Sequence, residues 1–229
     1  MFKVKEGMSS PYPFPSNDEF IHPFVTIARE PGSGGVPIAH AVAKKLGFQC
    51  IDEQLIDDVA LSTKKRKAII QAVDERSRSR IEDMVHSLVN PEYIDDVKYI
   101  TELTKVVLFY AQRGHVVIVG RAANFITPFA KGLHVSITAP YEVRVQRAMD
   151  FEGFTRLKAE EVIESTEAER KKFVKQYFRQ NSEKINSYDL TLNTTFFSVD
   201  DASEVIAHAF YQKFSRHNRY ISFFKNENR

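Results

Sequence analysis

A glycine-rich turn, REPGSGG at residues 29–35, separates an apolar run from a helical pattern. The run at 24–28 is short, rich in β-formers and almost continuously apolar, as is typical of a buried parallel strand. A turn in this position places several backbone N–H groups at a helix N-terminus, where the helix dipole also favours an anion. Glycines allow the conformations and the close approach that such a nest requires. We therefore expect a phosphate-binding loop formed by Gly32, Ser33, Gly34 and Gly35.

This loop departs from the Walker A pattern. That pattern, GxxxxGK(S/T), uses a lysine for the β- and γ-phosphates and a hydroxyl for Mg²⁺. Here the lysine position is Gly35, and the hydroxyl falls on Val36 or Pro37. The backbone nest survives these changes, whereas the lysine and the hydroxyl are lost. The loop thus predicts phosphate binding at 29–37, with a tight turn without a ligand as the alternative, and catalysis would need positive charge from other segments.

Arginines near the predicted strand ends can supply that charge, because phosphoryl transfer asks a protein mainly for positioning and for electrostatic stabilisation. Arg29 stands at the mouth of the loop and could replace part of the missing lysine charge, or else form a surface ion pair with Glu30 or another neighbour. Arg121 directly follows an apolar run at 115–120. Ligands bind at the carboxyl ends of parallel strands, and an arginine there can hold a phosphate with two hydrogen bonds. We expect Arg121 to bind phosphate, with an ion pair to a helix as the alternative.

Further polar residues extend this candidate site. Asp52 ends the second predicted strand, where it could accept from a ribose hydroxyl or hold Mg²⁺ through water, or equally cap a helix. Asn124 lies three residues after Arg121 and is a second candidate at that strand end. Arg144 and Arg147 are three residues apart and therefore share one helix face. We expect both arginines to contribute charge to the transferred group.

The elements that must position these residues alternate between strands and helices. Strands are predicted at 24–28, 48–51, 115–120, 133–138 and 189–193. Helices are predicted at 38–46, through most of 54–112, and at 141–150, 159–179 and 201–216. Strands that alternate with helices indicate a parallel sheet covered on both faces, a three-layer α/β fold.

Composition limits the remaining possibilities. The chain has 229 residues, 43% of them hydrophobic and 27% charged, with a net charge of +2, which is typical of a globular domain without a nucleic-acid partner. Cys50 is the only cysteine, so no intramolecular disulfide can form and a reducing compartment is expected. No apolar run approaches the roughly 18 residues of a membrane span. The histidines show no metal-ligand spacing, so no metal site is predicted, and we expect a cytoplasmic protein.

The two ends of the chain differ from the body at 23–216. Residues 1–22 carry prolines and read as an extended arm. Residues 217–229 form a tail with three aromatic residues, Tyr220, Phe223 and Phe224. Because apolar tail residues need a surface to cover, we expect self-association into a homo-oligomer.

Three blocks in order carry a family resemblance. They are VTIAREPGSGGVPIAHAVAKKLGFQCIDEQLI at 25–56, VIVGRAANFITPFAKGLHVSITAP at 117–140 and YDLTLNTTFFSVDDASEVI at 188–206. On these blocks the chain resembles the cytidylate kinase family and, more closely, its divergent cytidylate kinase-like branch. That branch typically lacks the Walker lysine as well, but commonly has an arginine where Val36 stands here.

The resemblance implies a P-loop NTPase fold of the nucleoside-monophosphate-kinase type, with a helical insertion at about 54–112 and a lid at about 150–180. It implies transfer of the ATP γ-phosphoryl group to a nucleoside monophosphate such as CMP, with Mg²⁺. Arg121 matches the family's GRD arginine, and Asp52 lies where the family contacts the monophosphate. Arg170 is the best-matched lid arginine and would contribute charge to the transferred group, with a solvated helix face as the alternative. A nucleotide- or phosphate-binding protein without catalysis, and a kinase for a different acceptor, remain the alternatives.

Overall fold

The computed structural model describes residues 22–71, 75–89, 97–127 and 131–226. Five β-strands lie within these ranges: β1 Phe24–Arg29, β2 Gln49–Ile51, β3 Val116–Val119, β4 Gly132–Thr138 and β5 Leu190–Asn193. The helices are α1 Gly35–Leu46, α2 Glu53–Leu61, α3 Thr63–Gln71, α4 Glu75–Leu88, α5 Val97–Arg113, α6 Ala123–Ile126, α7 Tyr141–Glu152, α8 Arg156–Phe178 and α9 Val199–Asn226. A single 3₁₀ turn at Ile185–Ser187 precedes β5 in this part of the chain.

The five strands form one parallel sheet in the order β2-β3-β1-β4-β5. Strand β1 is central and pairs with β3 on one side and with β4 on the other. Its residues Phe24–Ile27 are buried, as expected for a strand covered on both faces. The carboxyl ends of all five strands therefore meet at one edge of the sheet, where the sequence predicts the site.

Helices cover both faces of the sheet, each over its own hydrophobic cluster. On one face, α1 and α9 pack against Val25, Ile27 and Val117. On the other face, α2, α5 and α8 pack against Phe24 and Ile118. The predicted three-layer α/β architecture is confirmed.

Several details differ from the predicted elements. Helix α6 and the 3₁₀ turn carry no recognisable periodicity because each is only four or three residues long. Helix α9 continues to Asn226, beyond the predicted end at 216. The arm at 1–22 lies outside the described residues except for His22, and the side chains of Tyr220, Phe223 and Phe224 also lie outside them. No helix in the described ranges is long and apolar enough to cross a membrane.

Candidate functional site

A cavity of about 740 Å³ opens at the carboxyl edge of the sheet. Arg29 lines it from the end of β1, and Gly120 and Arg121 line it from the end of β3. The long helix α8 covers it with Arg170 and Phe173. Most of this volume lies beside the phosphate loop rather than inside it, because Gly32–Gly35 are absent from its walls.

The phosphate loop connects β1 to α1 and has the backbone of an open nest. Gly32 and Gly34 have φ values of 78° and 80°, in the left-handed region that glycine adopts readily. Gly34 is the N-cap of α1, and no side chain caps this helix. The amides of Gly34, Gly35 and Val36 have no acceptor among the described residues. The geometry of these amides suits an anionic oxygen. The amide of Ser33, which the sequence also predicts as a phosphate ligand, instead donates to the Glu30 carbonyl at 3.2 Å.

Two of the predicted catalytic arginines, Arg144 and Arg147, donate hydrogen bonds to the backbone of the phosphate loop. Arg144, whose side chain is only 7% exposed, donates to the Ala139 carbonyl at 3.0 Å and lies 3.2 Å from a Glu167 carboxylate oxygen. Its Nη1 also reaches the Pro31 carbonyl in the loop at 3.4 Å. Arg144 therefore supports the loop, with its charge already countered.

Arg147 supports the same loop through the end of β5. It donates to the Ser33 carbonyl at 3.3 Å, to Thr194 Oγ1 at 2.9 Å and to the Thr194 carbonyl at 2.7 Å. The Thr194 hydroxyl donates to the same Ser33 carbonyl at 2.8 Å. Because Arg147 donates to the Ser33 carbonyl and to Thr194, it holds the backbone of the phosphate loop in place.

Arg29 passes between two glycines to reach the cavity. A Cβ added to Gly35 would lie against the stem of Arg29, with Arg29 Cγ at 2.8 Å. A Cβ added to Gly120 would lie 3.2 Å from Arg29 Cζ. The stem of Arg29 thus occupies the space that a lysine side chain at position 35 would need. The glycine at the Walker lysine position leaves room for Arg29 to reach the cavity.

Three arginines from different elements converge on the carboxylate of Glu53, the first residue of α2. Arg29 forms an ion pair with Glu53 Oε2. Arg170 Nη2 lies 3.5 Å from the same oxygen, and Arg121 Nη1 lies 4.0 Å from Oε1. The structure therefore brings together Arg29, Arg121 and Arg170, the three predicted arginines that line the cavity.

Arg121 has a second carboxylate partner. Its Nη2 forms an ion pair with Asp57, which also accepts a hydrogen bond from the Tyr99 hydroxyl at 2.8 Å. The guanidinium carbon lies 5.8 Å from the centre of the Phe173 ring. The φ of Arg121 is 48°, a left-handed conformation that non-glycine residues adopt mostly at constrained or functional positions.

In this cluster three positively charged guanidinium groups surround the carboxylate of Glu53. Burial alone would raise the pKa of Glu53, but the charge and hydrogen bond of Arg29, with Arg170 and Arg121, hold that pKa below its usual value. Burial and the neighbouring Arg29 charge lower the pKa of Arg170. Burial would lower the pKa of Arg121 as well, but the hydrogen bond and charge of Asp57 and the charge of Glu53 outweigh burial and raise that pKa instead.

The other two predicted residues occupy different positions. Asp52 accepts from the Leu55 amide at 2.8 Å as the N-cap of α2, and it lies outside the cavity lining. Asn124 is buried in α6, lines the cavity and donates to the Ser187 carbonyl at 3.4 Å. Asn124 is therefore close to the cavity, whereas Asp52 sets the start of the helix that carries Glu53.

Sequence reasoning missed Glu53, Asp57, Tyr99 and Thr194. A signal for the first two was present, because residues 53 and 57 are four apart and share the face of a helix that begins at the end of β2. Tyr99 lies 42 residues from Asp57, and Thr194 lies 161 residues from Ser33, so nothing local indicated those contacts.

The residues beside the loop do not form a magnesium site. The hydroxyl position of the loop is Val36, and the buried Ser33 hydroxyl donates to the Glu30 carbonyl. Glu53 is occupied by arginines, and Glu30 accepts from the Thr138 hydroxyl and the Ala139 amide. Among the described residues no group of three His, Cys, Asp or Glu side chains could hold a metal ion.

The central strand of this parallel sheet is followed by a glycine loop that opens a helix, beside a cavity where three arginines converge. These features define an α/β protein of the P-loop NTPase type. The family model described as "Cytidylate kinase-like family" matches residues 24–196. The chain belongs to this family. Membership supports a nucleotide-binding, kinase-type phosphotransferase. A comparison with curated protein sequences finds no match.

Solved structures resemble the chain to different degrees, and only a TM-score above 0.5 indicates a likeness of fold. An uncharacterized protein from Eubacterium ventriosum has a TM-score of 0.63 and 19% identity, over 82% of this chain and 98% of that one. Shikimate kinase from Acinetobacter baumannii in complex with shikimate has a TM-score of 0.47 and 17% identity, over 87% and 99%. Dephospho-CoA kinase from Campylobacter jejuni has a TM-score of 0.35 and 14% identity, over 82% and 96%. At 19% identity the first of these likenesses concerns the fold alone.

Proposed function

We propose that the chain transfers the γ-phosphoryl group of ATP to a nucleoside monophosphate of the CMP type. The observation that carries this proposal is the convergence of Arg29, Arg121 and Arg170 at one wall of the cavity. Planar guanidinium groups that approach from different elements can bind several oxygens of one phosphate. The monophosphate ester of the acceptor is therefore assigned to this wall.

The donor phosphates are assigned to the loop. The free amides of Gly34, Gly35 and Val36 would bind the phosphate oxygens of ATP, which supplies the phosphoryl group when it is bound. Arg144 and Arg147 take part by fixing the loop carbonyls, so that the amides stay directed at the ligand. Preorganised donors of this kind stabilise the developing charge without reorganisation.

The rest of the acceptor fits the remaining cavity. Its volume of about 740 Å³ lies within the range of small-molecule sites, roughly 300–1,000 Å³. Phe125 and Phe173 offer aromatic surface for a base, and the hydroxyl groups of Ser136 and Thr138 lie along the strand ends. Membership of the family implies Mg²⁺. We assign no protein ligands to this ion, because the residues beside the loop do not form a magnesium site.

The direct test is release of ADP from ATP with Mg²⁺ over a panel of CMP, UMP, AMP and GMP, with an acceptor-free control. We expect turnover that depends on the acceptor and is highest with CMP. Turnover with another acceptor alone would correct the acceptor and keep the reaction class. No turnover with any acceptor, by a protein with an intact unfolding transition, would contradict the proposal.

A second candidate is a nucleotide-binding protein without catalysis, and two observations favour it. The space for a loop lysine is filled by Arg29, and the charge of Arg29 is paired with Glu53. Thermal unfolding with ligands separates the two. A ligand at 100 times its dissociation constant stabilises the fold by about 2.7 kcal/mol. Stabilisation by CMP or ATP without ADP release would favour the binding protein, and turnover would exclude it.

A further inference from the structure

Glu53 occupies the position in the arginine cluster that suits an anionic ligand. Its two carboxylate oxygens face Arg29, Arg121 and Arg170, much as two oxygens of a phosphate would. The Glu53 side chain is 27% exposed and lines the cavity, while the Arg29 side chain is only 7% exposed. The carboxylate and the three arginines therefore border the same open volume, and Glu53 holds arginine donors that a ligand in the cavity could reach.

Each arginine also has an anchor that does not involve Glu53. The stem of Arg29 is enclosed between Gly35 and Gly120. Arg170 Nη1 donates to the Arg29 carbonyl at 3.2 Å, and Arg121 is paired with Asp57. If the Glu53 carboxylate turned away, all three guanidinium groups would keep their places.

The backbone of Glu53 is fixed independently as well. Helix α2 begins under the N-cap of Asp52, which accepts from the Leu55 amide, so the helix start does not depend on the Glu53 ion pairs. The side chain can therefore change its rotamer without unwinding the helix. Moreover, a phosphate that approached the cluster with Glu53 still in place would meet a like charge, which disfavours binding.

We propose that Glu53 is an internal anion that occupies the phosphate-binding arginines in the free chain and yields them to the phosphate group of the ligand. In this role Glu53 is a positioning residue that lowers the affinity for phosphate and keeps the arginine cluster neutralised when no ligand is present. The proposal rests on the proposed function only for the identity of the ligand, since any phosphate monoester would exchange with the carboxylate.

The test compares Glu53→Gln with the wild type by equilibrium titration with CMP and, separately, with inorganic phosphate. Glu82→Gln is the matched control, because Glu82 pairs with Lys105 on α4 and α5 and lies outside the cavity lining. We expect Glu53→Gln to bind both probes about tenfold more tightly, since a like charge beside the phosphate is removed. The control should bind like the wild type.

A purely structural ion pair predicts the opposite result. If Glu53 were needed to hold the arginines in place, Glu53→Gln would bind more weakly, and equal or weaker binding by a folded variant overturns the proposal. If Glu53→Gln does not fold, Glu53→Ala serves instead, because it also removes the like charge and should also bind more tightly. Binding of neither probe by any variant likewise overturns it. Tighter binding without ADP release would leave this inference standing while contradicting the proposed reaction.

Discussion

The stem of Arg29 fills the space beside Gly35, the position where a Walker loop carries its lysine. A Cβ on Gly35 would lie 2.8 Å from Arg29 Cγ, closer than side-chain carbons approach in proteins. The positive charge nearest to this position therefore comes from the end of β1, and the Arg29 guanidinium extends past the loop to Gly120 and Glu53. In this chain the side chain of Arg29 requires a glycine at position 35.

The first prediction tests that relationship. Alanine normally stabilises a helix relative to glycine by up to about 1 kcal/mol. Gly35→Ala should instead destabilise the fold by about 1–3 kcal/mol, because the added methyl group overpacks against Arg29. Chemical denaturation measures the difference. In Arg29→Gly/Gly35→Ala the clash is absent, because both Arg29 Cβ and Arg29 Cγ are removed. The double variant should therefore lose less stability than the sum of the single changes, and a neutral or stabilising Gly35→Ala would contradict the packing described here.

A second prediction concerns Arg121. Arg121→Lys keeps the charge but loses the planar fork that binds two oxygens, so CMP should bind about 10- to 100-fold more weakly, as expected for charged hydrogen bonds. Calorimetric titration measures this affinity. Arg113→Lys is the matched control, because Arg113 is exposed at the end of α5. If Arg121→Lys bound CMP with wild-type affinity, Arg121 would not be a ligand of the phosphate group.

A third prediction concerns the buried hydroxyl of Thr194, which supports the phosphate loop, in comparison with the hydroxyl of Thr195. Thr194→Val removes the hydroxyl that donates to the Ser33 carbonyl and accepts from Arg147, and this buried loss should cost about 1–3 kcal/mol of unfolding free energy. The neighbouring Thr195 hydroxyl donates only to the exposed Asn193 side chain, so Thr195→Val should leave stability nearly unchanged. Equal effects of the two changes in thermal unfolding would argue against a supporting role for Thr194.

The sequence allows much of this site to be predicted, and the limits have physical reasons. Arg29 and Arg121 were predictable because both follow apolar strands whose carboxyl ends must share one sheet edge. The hydrogen-bonding partners of the arginines could not be predicted, because an arginine near a phosphate loop can contact either the ligand or the loop carbonyls. Arg144 and Arg147 face the carbonyls, a choice that depends on how α7 packs beneath the loop.

Asp52 and Glu53 show the same limit at the scale of one residue. Both follow β2, and the sequence indicates a carboxylate at this strand end. The first turn of α2 directs Asp52 back to the helix amides and Glu53 into the arginine cluster. Which of two adjacent carboxylates reaches a cavity depends on where the helix begins, and sequence patterns fix that boundary poorly.

A fourth prediction uses the single cysteine as a reporter of β2. Burial, assisted by the charge of Asp52, raises the pKa of Cys50 to about 11. The thiolate fraction at pH 8 is then about 0.1%, compared with roughly a quarter for an ordinary thiol. Alkylation by iodoacetamide should be slow at pH 8 and rise about tenfold per pH unit up to pH 10. A rate that levels off near pH 9 would contradict this environment, and the chain unfolded in denaturant is the control that should level off there.

A crystal structure of the chain with CMP and a non-hydrolysable ATP analogue would show most directly where both phosphate groups bind. We expect the CMP phosphate within hydrogen-bonding distance of the Arg121 and Arg170 guanidinium groups. We also expect the triphosphate on the amides of Gly34, Gly35 and Val36, with the Glu53 carboxylate turned away from Arg29. A CMP phosphate bound elsewhere, with Arg29, Arg121 and Arg170 still gathered around Glu53, would contradict these expectations.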